Sequence, residues 1–290
     1  MSKVALIGAS SFLGRHLFAH LKGGFSVVGT CYRHPITPEL VPLDITAPQD
    51  VQAFLEREQP DYLVWLAGNK DLKACETDPA ASFRLNVRPV ERLIEVLGGH
   101  RNSIPVLYVS SDYVFAGDRG HYRDSDPTHP NTVYGKDKEA CENLLLGSGL
   151  PAKIIRTSAV VGPGGVFFQW MLDAILGSRE LNLFSNIHFS PTPVTFFAER
   201  MAALIADFER IESSRLHLVM NNRLSRYAFG EAVLGFMDKP SCRIQPEEID
   251  LTHALFRRDL SLVASAGILD GREPSFASYL EREVRACLKR

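Results

Sequence analysis

Short apolar runs alternate with amphipathic stretches through the first half of the chain. Residues 4–7, 25–32, 62–67, 105–110 and 153–156 read as strands, and 12–22, 47–58, 79–97 and 132–146 as helices. Strands separated by helical crossovers predict a parallel sheet covered on both faces, an α/β chain of the Rossmann-type doubly wound class. Pro89 falls inside the third helical stretch and should kink it or reset its start. After Gly162-Pro163-Gly164-Gly165 the pattern changes to helical stretches near 166–178 and 194–212, a strand-like run at 216–219 and mixed segments. The division expected is a dinucleotide-binding domain over 1–161, with 190–220 returning to it. A smaller C-terminal substrate lobe then comprises 162–189 and 221–290.

Composition narrows the class without changing this picture. The 290 residues are 45% hydrophobic and 23% charged, with a formal net charge of −2, which suits one large core or two coupled domains. With no long basic or acidic block, neither nucleic acid nor an anionic membrane is the expected partner. No apolar run approaches a membrane span, and the apolar stretch after Met1-Ser2-Lys3 leads straight into a glycine turn, so it reads as a strand and not a signal. The five cysteines are widely spaced, which suits unpaired thiols in a reducing compartment and a cytoplasmic location. A homodimer is left open.

Gly8-Ala9-Ser10-Ser11-Phe12-Leu13-Gly14 follows the first strand and opens the first helix. Such a turn lets backbone N–H groups and a positive helix end approach a pyrophosphate. Ser11 stands where the G-x-x-G-x-x-G spacing has its middle glycine, and would either crowd that group or hydrogen-bond to it. The second strand ends in Gly29-Thr30-Cys31-Tyr32-Arg33-His34, without the carboxylate that an NAD site places there. Arg33 suits a 2′-phosphate or is a solvated loop arginine, so NADP(H) is preferred and NAD(H) stays open. Asp44, before Ile45, either accepts from an adenine amino group or caps the helix that begins near Ala47-Pro48.

Tyr134 and Lys138 are four residues apart in a helical stretch, on one face and about one turn from each other. A cation beside a phenol favours the phenolate and should lower its pKa, giving a proton donor suited to carbonyl reduction. Val109-Ser110-Ser111-Asp112-Tyr113-Val114-Phe115-Ala116-Gly117 ends a predicted central strand at the edge where doubly wound sheets bind ligands. A serine there can donate to a substrate carbonyl oxygen.

With these pieces in order, the chain resembles an extended short-chain dehydrogenase/reductase, and more narrowly the dTDP-4-dehydrorhamnose reductase family, whose relatives include the regulatory β subunit of methionine adenosyltransferase. The resemblance rests on the glycine turn, Asp44-Ile45, Leu66-Ala67-Gly68, Asn86-Val87, Ser110 to Phe115, Tyr134-Gly135-Lys136-Asp137-Lys138 and Ile155-Arg156-Thr157-Ser158, over roughly the first 165 residues. It implies that Ser111, Tyr134 and Lys138 are catalytic. It also implies that Gly8, Ser10, Ser11, Phe12, Leu13, Gly14, Arg33, Asp44, Ile45, Leu66, Ala67, Gly68, Asn86, Tyr134 and Lys138 contact the cofactor. Asn86 matches an asparagine that supports a proton-relay water, and the backbone near Thr157-Ser158 would lie along the cofactor. The chain departs from the family at Ala116, Ala159-Val160-Val161, Asn186, Ile187 and Phe189, so the sugar does not transfer.

The implied activity is reduction of a nucleotide-linked 4-keto-6-deoxy sugar, with a nucleotide sugar as the small-molecule partner. The alternatives are a non-catalytic NADP-binding regulatory subunit and a nucleotide-sugar epimerase or dehydratase; against a dehydratase, Tyr113 takes the place of a second carboxylate. His16 and His20, four apart without a third ligand, read as a surface pair and no metal is expected. Phe167-Phe168, Trp170-Met171 and Phe196-Phe197 read as core, and 281–290 as a solvated terminal helix.

Overall fold

The computed structural model describes residues 1–33, 37–99, 103–237, 242–252 and 255–289. His34 and Arg290, which the sequence reads with the second strand and the terminal helix, lie outside the described residues. The chain forms two compact units: Met1–Val114, Thr128–Arg156 and Ala198–Leu216 make the first, and Phe115–Pro127, Thr157–Phe197 and His217–Arg290 the second. The residues at 115–127 and 157–161, and those at 190–197 and 217–220, thus group with the second unit, where the sequence placed them in the first.

In chain order the elements of the first unit are β1 (Lys3–Ile7), α1 (Phe12–Leu21), β2 (Ser26–Cys31), β3 (Val41–Pro42), α2 (Pro48–Glu58), β4 (Tyr62–Trp65), α3 (Leu72–Thr77), α4 (Pro79–Asn86), α5 (Arg88–Gly98), β5 (Val106–Ser111), α6 (Val133–Gly147) and β6 (Ala152–Thr157). The elements that follow are β7 (Val160–Val161), α7 (Val166–Leu176), β8 (Leu181–Phe184), β9 (His188–Phe189), β10 (Thr192–Pro193), α8 (Val194–Ala206), β11 (Arg215–His217), β12 (Leu224–Ser225), α9 (Arg226–Leu234), β13 (Ile244–Glu247) and α10 (Phe276–Leu288).

Seven strands form one sheet in the order β11-β6-β5-β4-β1-β2-β3. The pairs β1–β2, β1–β4, β2–β3 and β4–β5 are parallel. From β1 the chain runs outward through β2 and β3 on one side, then returns to β4 and runs outward on the other. The strand order reverses between β1 and β4, and in such sheets ligands bind at the carboxyl ends beside that reversal. Every residue of β5 is buried, as a strand covered on both faces requires. Beneath the sheet Phe54, Leu55, Trp65, Val90, Leu93 and Tyr108 share one apolar core, each large side chain contributing about 1.5–3 kcal/mol by burial.

Pro89 resets the helix and does not kink it. The chain leaves α4 at Asn86 and starts α5 at Arg88, with Pro89 in the first turn, where a missing N–H is harmless. α3 falls outside the predicted helical stretches; it is only six residues long and is set by Asp71, whose carboxylate caps it through the Ala74 N–H at 3.0 Å. The 194–212 stretch ends as a helix at Ala206, and the strand read at 216–219 lies at Arg215–His217. The terminal helix is longer than 281–290 and is not simply solvated. It begins at Phe276 behind the Ser275 cap and buries Tyr279, Leu280, Glu283 and Val284. Phe168, Met171, Phe196 and Phe197 are core as read, whereas Trp170 is 47% exposed and stacks on Phe167. His16 is half-buried, edge-on to Phe12, and His20 is exposed. Among the described residues no group could hold a metal ion, and no helix is long and apolar enough to cross a membrane.

One buried ion pair fixes α6 against the sheet. Arg156 of β6 meets Glu142 of α6 through Nη2–Oε2 at 2.6 Å and Nε–Oε1 at 3.0 Å, with both side chains 2% exposed. Ser110 of β5 donates to the same carboxylate at 2.6 Å. Removing one partner of such a pair leaves a buried charge without its counterion. Glu142→Gln should therefore lower unfolding free energy by about 3–5 kcal/mol in urea titrations; a loss below about 1 kcal/mol would show that the pair does not fasten the helix.

Candidate active site

The glycine turn is closed by its own residues. Ser11 donates its N–H to the Gly8 carbonyl at 3.1 Å and caps α1, its hydroxyl accepting from the Gly14 N–H at 3.0 Å. The serine in the middle-glycine position is therefore a helix cap, its oxygen turned to α1. The N–H groups of Phe12 and Leu13 have no carbonyl to reach within the helix and, with the helix dipole, favour an anion there. A Cβ on Gly14 would stand 2.2 Å from the Gly8 carbonyl oxygen, so only glycine lets α1 pack this closely on the turn. The Gly8 N–H donates to Thr30 Oγ1 at 3.1 Å, tying the turn to β2, and Ser10 lies half-buried beside it.

Just past β2, Arg33 lies exposed with its guanidinium 4.6 Å from the Tyr32 ring centre. Asp44 does not cap α2: the capping position is Ala47, without a side-chain bond. Its carboxylate instead accepts from Thr46 N–H at 2.9 Å and Thr46 Oγ1 at 2.6 Å, making a local turn. Ile45 packs against the core beneath the sheet. Past β4, Leu66 donates its N–H to the Ile7 carbonyl at 2.9 Å, and the Trp65 indole donates to the Ala67 carbonyl at 3.1 Å.

Asn86 fastens the loop that follows. Its Oδ1 accepts from the Asn69 N–H at 2.6 Å, and its amide donates to the Asn69 carbonyl at 3.1 Å and to Asp137 at 3.3 Å. Ser82 donates to the same Asp137 carboxylate at 2.5 Å. Gly68 packs so closely that a Cβ would stand 2.8 Å from Asn86 Oδ1. The backbone carbonyl of Asn86 accepts from Cys141 Sγ at 3.3 Å. Both polar ends and the carbonyl of Asn86 are thus bonded to protein groups, and the carbonyl keeps a second lone pair.

Ser111, Tyr134 and Lys138 come together where β5 ends and α6 begins. Thr132 caps α6 through the Gly135 N–H at 3.0 Å. A Cβ on Gly135 would meet the Tyr113 carbonyl at 2.2 Å, so a glycine beside Tyr134 brings the helix against the β5 end. The Ser111 hydroxyl stands beside the Tyr134 phenol and donates its one hydrogen to Asp112 at 2.9 Å. Tyr113 stands edge-on to Tyr134 with ring centres 6.0 Å apart. Lys138 Nζ is 5.8 Å from the Tyr134 ring centre and bonds elsewhere, to Tyr108 Oη at 3.1 Å and the Val109 carbonyl at 3.0 Å.

The electrostatics correct the reading of this pair. Burial raises the Tyr134 pKa above that of an ordinary phenol; the Ser111 hydroxyl beside it pulls it down, while Asp112, Tyr113 and Cys75 push it further up. The lowering expected from Lys138 is outweighed, because the phenol is desolvated and the ammonium bonds to Tyr108 and Val109. Lys138 is itself lowered by burial, against which Cys141, Glu142 and Asp137 favour its charge.

Sequence reasoning missed the parts that hold this group. Tyr108 is apolar by position, since alternate β5 residues face the core, and its contact with Lys138 comes from a helix 30 residues on. Asp137 does carry a signal: beside Lys138 on a helix, a carboxylate that is buried needs a partner. In the second unit, Thr157 Oγ1 donates to the Leu218 carbonyl at 3.2 Å and Ser158 Oγ accepts from the Ser190 N–H at 3.2 Å. Asn186 grips the Ile249 backbone from both sides, at 2.9 and 3.2 Å. Ile187 and Phe189 are buried, with the Arg226 guanidinium 4.4 Å from the Phe189 ring centre.

Residues 2–259 match the family model described as the RmlD substrate binding domain. The chain is 28% identical over 256 residues to a probable dTDP-4,6-dihydroxy-2-methyloxan-3-one 4-ketoreductase of Streptomyces antibioticus, covering 87% of this chain and 82% of that protein. It is 31% identical over 191 residues to methionine adenosyltransferase 2 subunit beta of Xenopus laevis, covering 65% and 54%. The crystal structure of dTDP-4-dehydrorhamnose reductase from Bacillus anthracis, in complex with NADP, shares its fold at a TM-score of 0.85 and 21% identity over 99% of each chain. With the doubly wound sheet and the glycine turn already in place, the match over residues 2–259 makes the chain a member of the RmlD substrate-binding domain family.

Proposed function

We propose that the protein is an NADP(H)-dependent reductase of a nucleotide-linked 4-keto-6-deoxy sugar. The observation that carries this reading is the grouping of Ser111, Tyr134 and Lys138 at the carboxyl end of the sheet, on the edge that also bears the glycine turn. The Streptomyces antibioticus relative, a probable 4-ketoreductase, supports the substrate class. A bound nicotinamide nucleotide supplies the hydride.

The residues present fit such a group. The α1 amides behind the Gly8 turn suit a pyrophosphate, and Arg33, exposed at the end of β2, suits a 2′-phosphate. Lys138 uses two of its three N–H groups on Tyr108 and Val109 and keeps one for a ribose hydroxyl. Ser111 turns its one hydroxyl hydrogen from Asp112 to the ketone oxygen. Tyr134 gives that oxygen its proton as negative charge builds on it. With its pKa raised by burial, the Tyr134 phenol stays protonated through neutral pH and so holds the proton that this oxygen takes.

A second reading, a cofactor-binding regulatory subunit without turnover, draws on the 31% identity to methionine adenosyltransferase 2 subunit beta. The two readings part on consumption of the cofactor. Purified protein given NADPH and a panel of nucleotide 4-keto-6-deoxy sugars should oxidise NADPH with at least one of them, followed at 340 nm. Tight NADPH binding without oxidation across the panel contradicts the reductase reading. With a turning-over substrate, Tyr134→Phe should reduce kcat by about 10²–10⁴-fold with little change in NADPH affinity; retention of activity within a few-fold removes Tyr134 as the proton donor. Arg33→Ala should weaken NADPH binding by about 10–100-fold and leave NADH binding unchanged in calorimetric titrations, and an equal loss for both cofactors rules out a 2′-phosphate contact.

A further inference from the structure

Lys138 is held from behind by groups that the reductase reading does not use. Tyr108 is buried in β5, its ring face 4.6 Å from Lys138 Nζ and its oxygen accepting from that ammonium at 3.1 Å. An ammonium has no lone pair, so the Tyr108 hydroxyl hydrogen must point elsewhere. It is left to Cys141, one helical turn past Lys138, whose sulfur interacts with the phenol. Cys141 Sγ in turn donates to the Asn86 carbonyl at 3.3 Å. Four groups on β5, α6 and α4 therefore form a chain with a single direction, Lys138 to Tyr108 to Cys141 to the Asn86 carbonyl. In such a chain each bond polarises the next, and here the oxygen that faces Lys138 becomes more negative.

We propose that Tyr108 is a positioning residue for this site: its phenol oxygen keeps the Lys138 side chain charged and fixes the direction of the one N–H left for a ribose hydroxyl. The last clause rests on the reductase reading; the hold on the charge does not. The ring contributes as well, since a cation over an aromatic face is stabilised when both are out of water. The other titratable groups around the ammonium are Asp137, Cys141 and Glu142 on α6, Tyr134 one turn back and, behind Tyr134, Cys75 on α3. Their charges are unchanged when the Tyr108 hydroxyl alone is removed, so a shift in Lys138 reports on that hydroxyl. Deleting a bond to the charged form of a lysine moves its titration to lower pH.

The test is a titration of Lys138 in protein labelled with [¹³Cε]lysine, assigned by the signal missing in Lys138→Arg. Tyr108→Phe keeps the ring and should lower the Lys138 midpoint by about one pH unit. Cys141→Ala removes only the next link and should lower it by less, which provides a reading if the phenylalanine variant does not fold. With a turning-over sugar, the alkaline limb of kcat/KM should move down in step with the midpoint, while kcat near neutral pH falls only a few-fold. A Lys138 midpoint that stays in place in folded variants overturns the proposal. Loss of all NADPH oxidation in the unaltered protein would instead overturn the reductase reading and leave the titration result standing.

Discussion

Arg156 and Glu142 bury two full charges in the first unit, and the geometry of the candidate site depends on them. A pair that is nearly sealed from solvent is tolerable only with good geometry and saturated lone pairs. Here a two-point contact between guanidinium and carboxylate is completed by the hydroxyl of Ser110. The result joins β5, β6 and α6 at one point. Tyr134, Lys138 and Glu142 follow one another at four-residue spacing along α6, so fixing Glu142 sets the rotation of the helix and the face that its two upstream residues present. Ser110 serves the ion pair, while its neighbour Ser111 stands beside Tyr134 and bonds Asp112.

Around that joint, buried polar groups are linked in chains. Asp137 is met by Ser82 and Asn86, and Asn86 holds the loop after β4. Lys138 leans on Tyr108 and Val109. These networks hold the site rigid before any ligand is present, and preorganised donors are what stabilise developing charge in a reaction. They also explain why Tyr134 is a weaker acid than its neighbour Lys138 suggests. The lysine is drawn back into the sheet, and burial of the phenol decides the balance.

Much of this was legible in the sequence because it is local. The alternation of apolar runs with amphipathic stretches placed β1, β2, β4, β5 and β6 to within a residue or two at most ends, and the order of Gly8, Ser111, Tyr134 and Lys138 indicated the family. What was hidden depends on partners distant in sequence. Asp44 looks like a helix cap from its place before Pro48, yet Thr46 takes its carboxylate two residues on. Ser11 looks like an intrusion into a glycine turn, and the structure makes it the cap of α1. Tyr108 carries no pattern at all, since an aromatic in a buried strand is the ordinary case. The second unit is the least legible: its paired strands are two to four residues long, too short to show a period, and α10 hides its buried face among charged neighbours.

The central claim is that this site moves a hydride onto a ketone carbon while Tyr134 protonates the oxygen. It is tested most directly by following the label from NADPH carrying deuterium on the transferable position of the nicotinamide, in the presence of a nucleotide 4-keto-6-deoxy sugar. The account predicts one deuterium at the former ketone carbon of the product, seen by mass spectrometry and NMR, and none in the Tyr134→Phe protein on the same timescale. Deuterium that stays on the nucleotide with every sugar tried, although the protein binds NADPH, would contradict it.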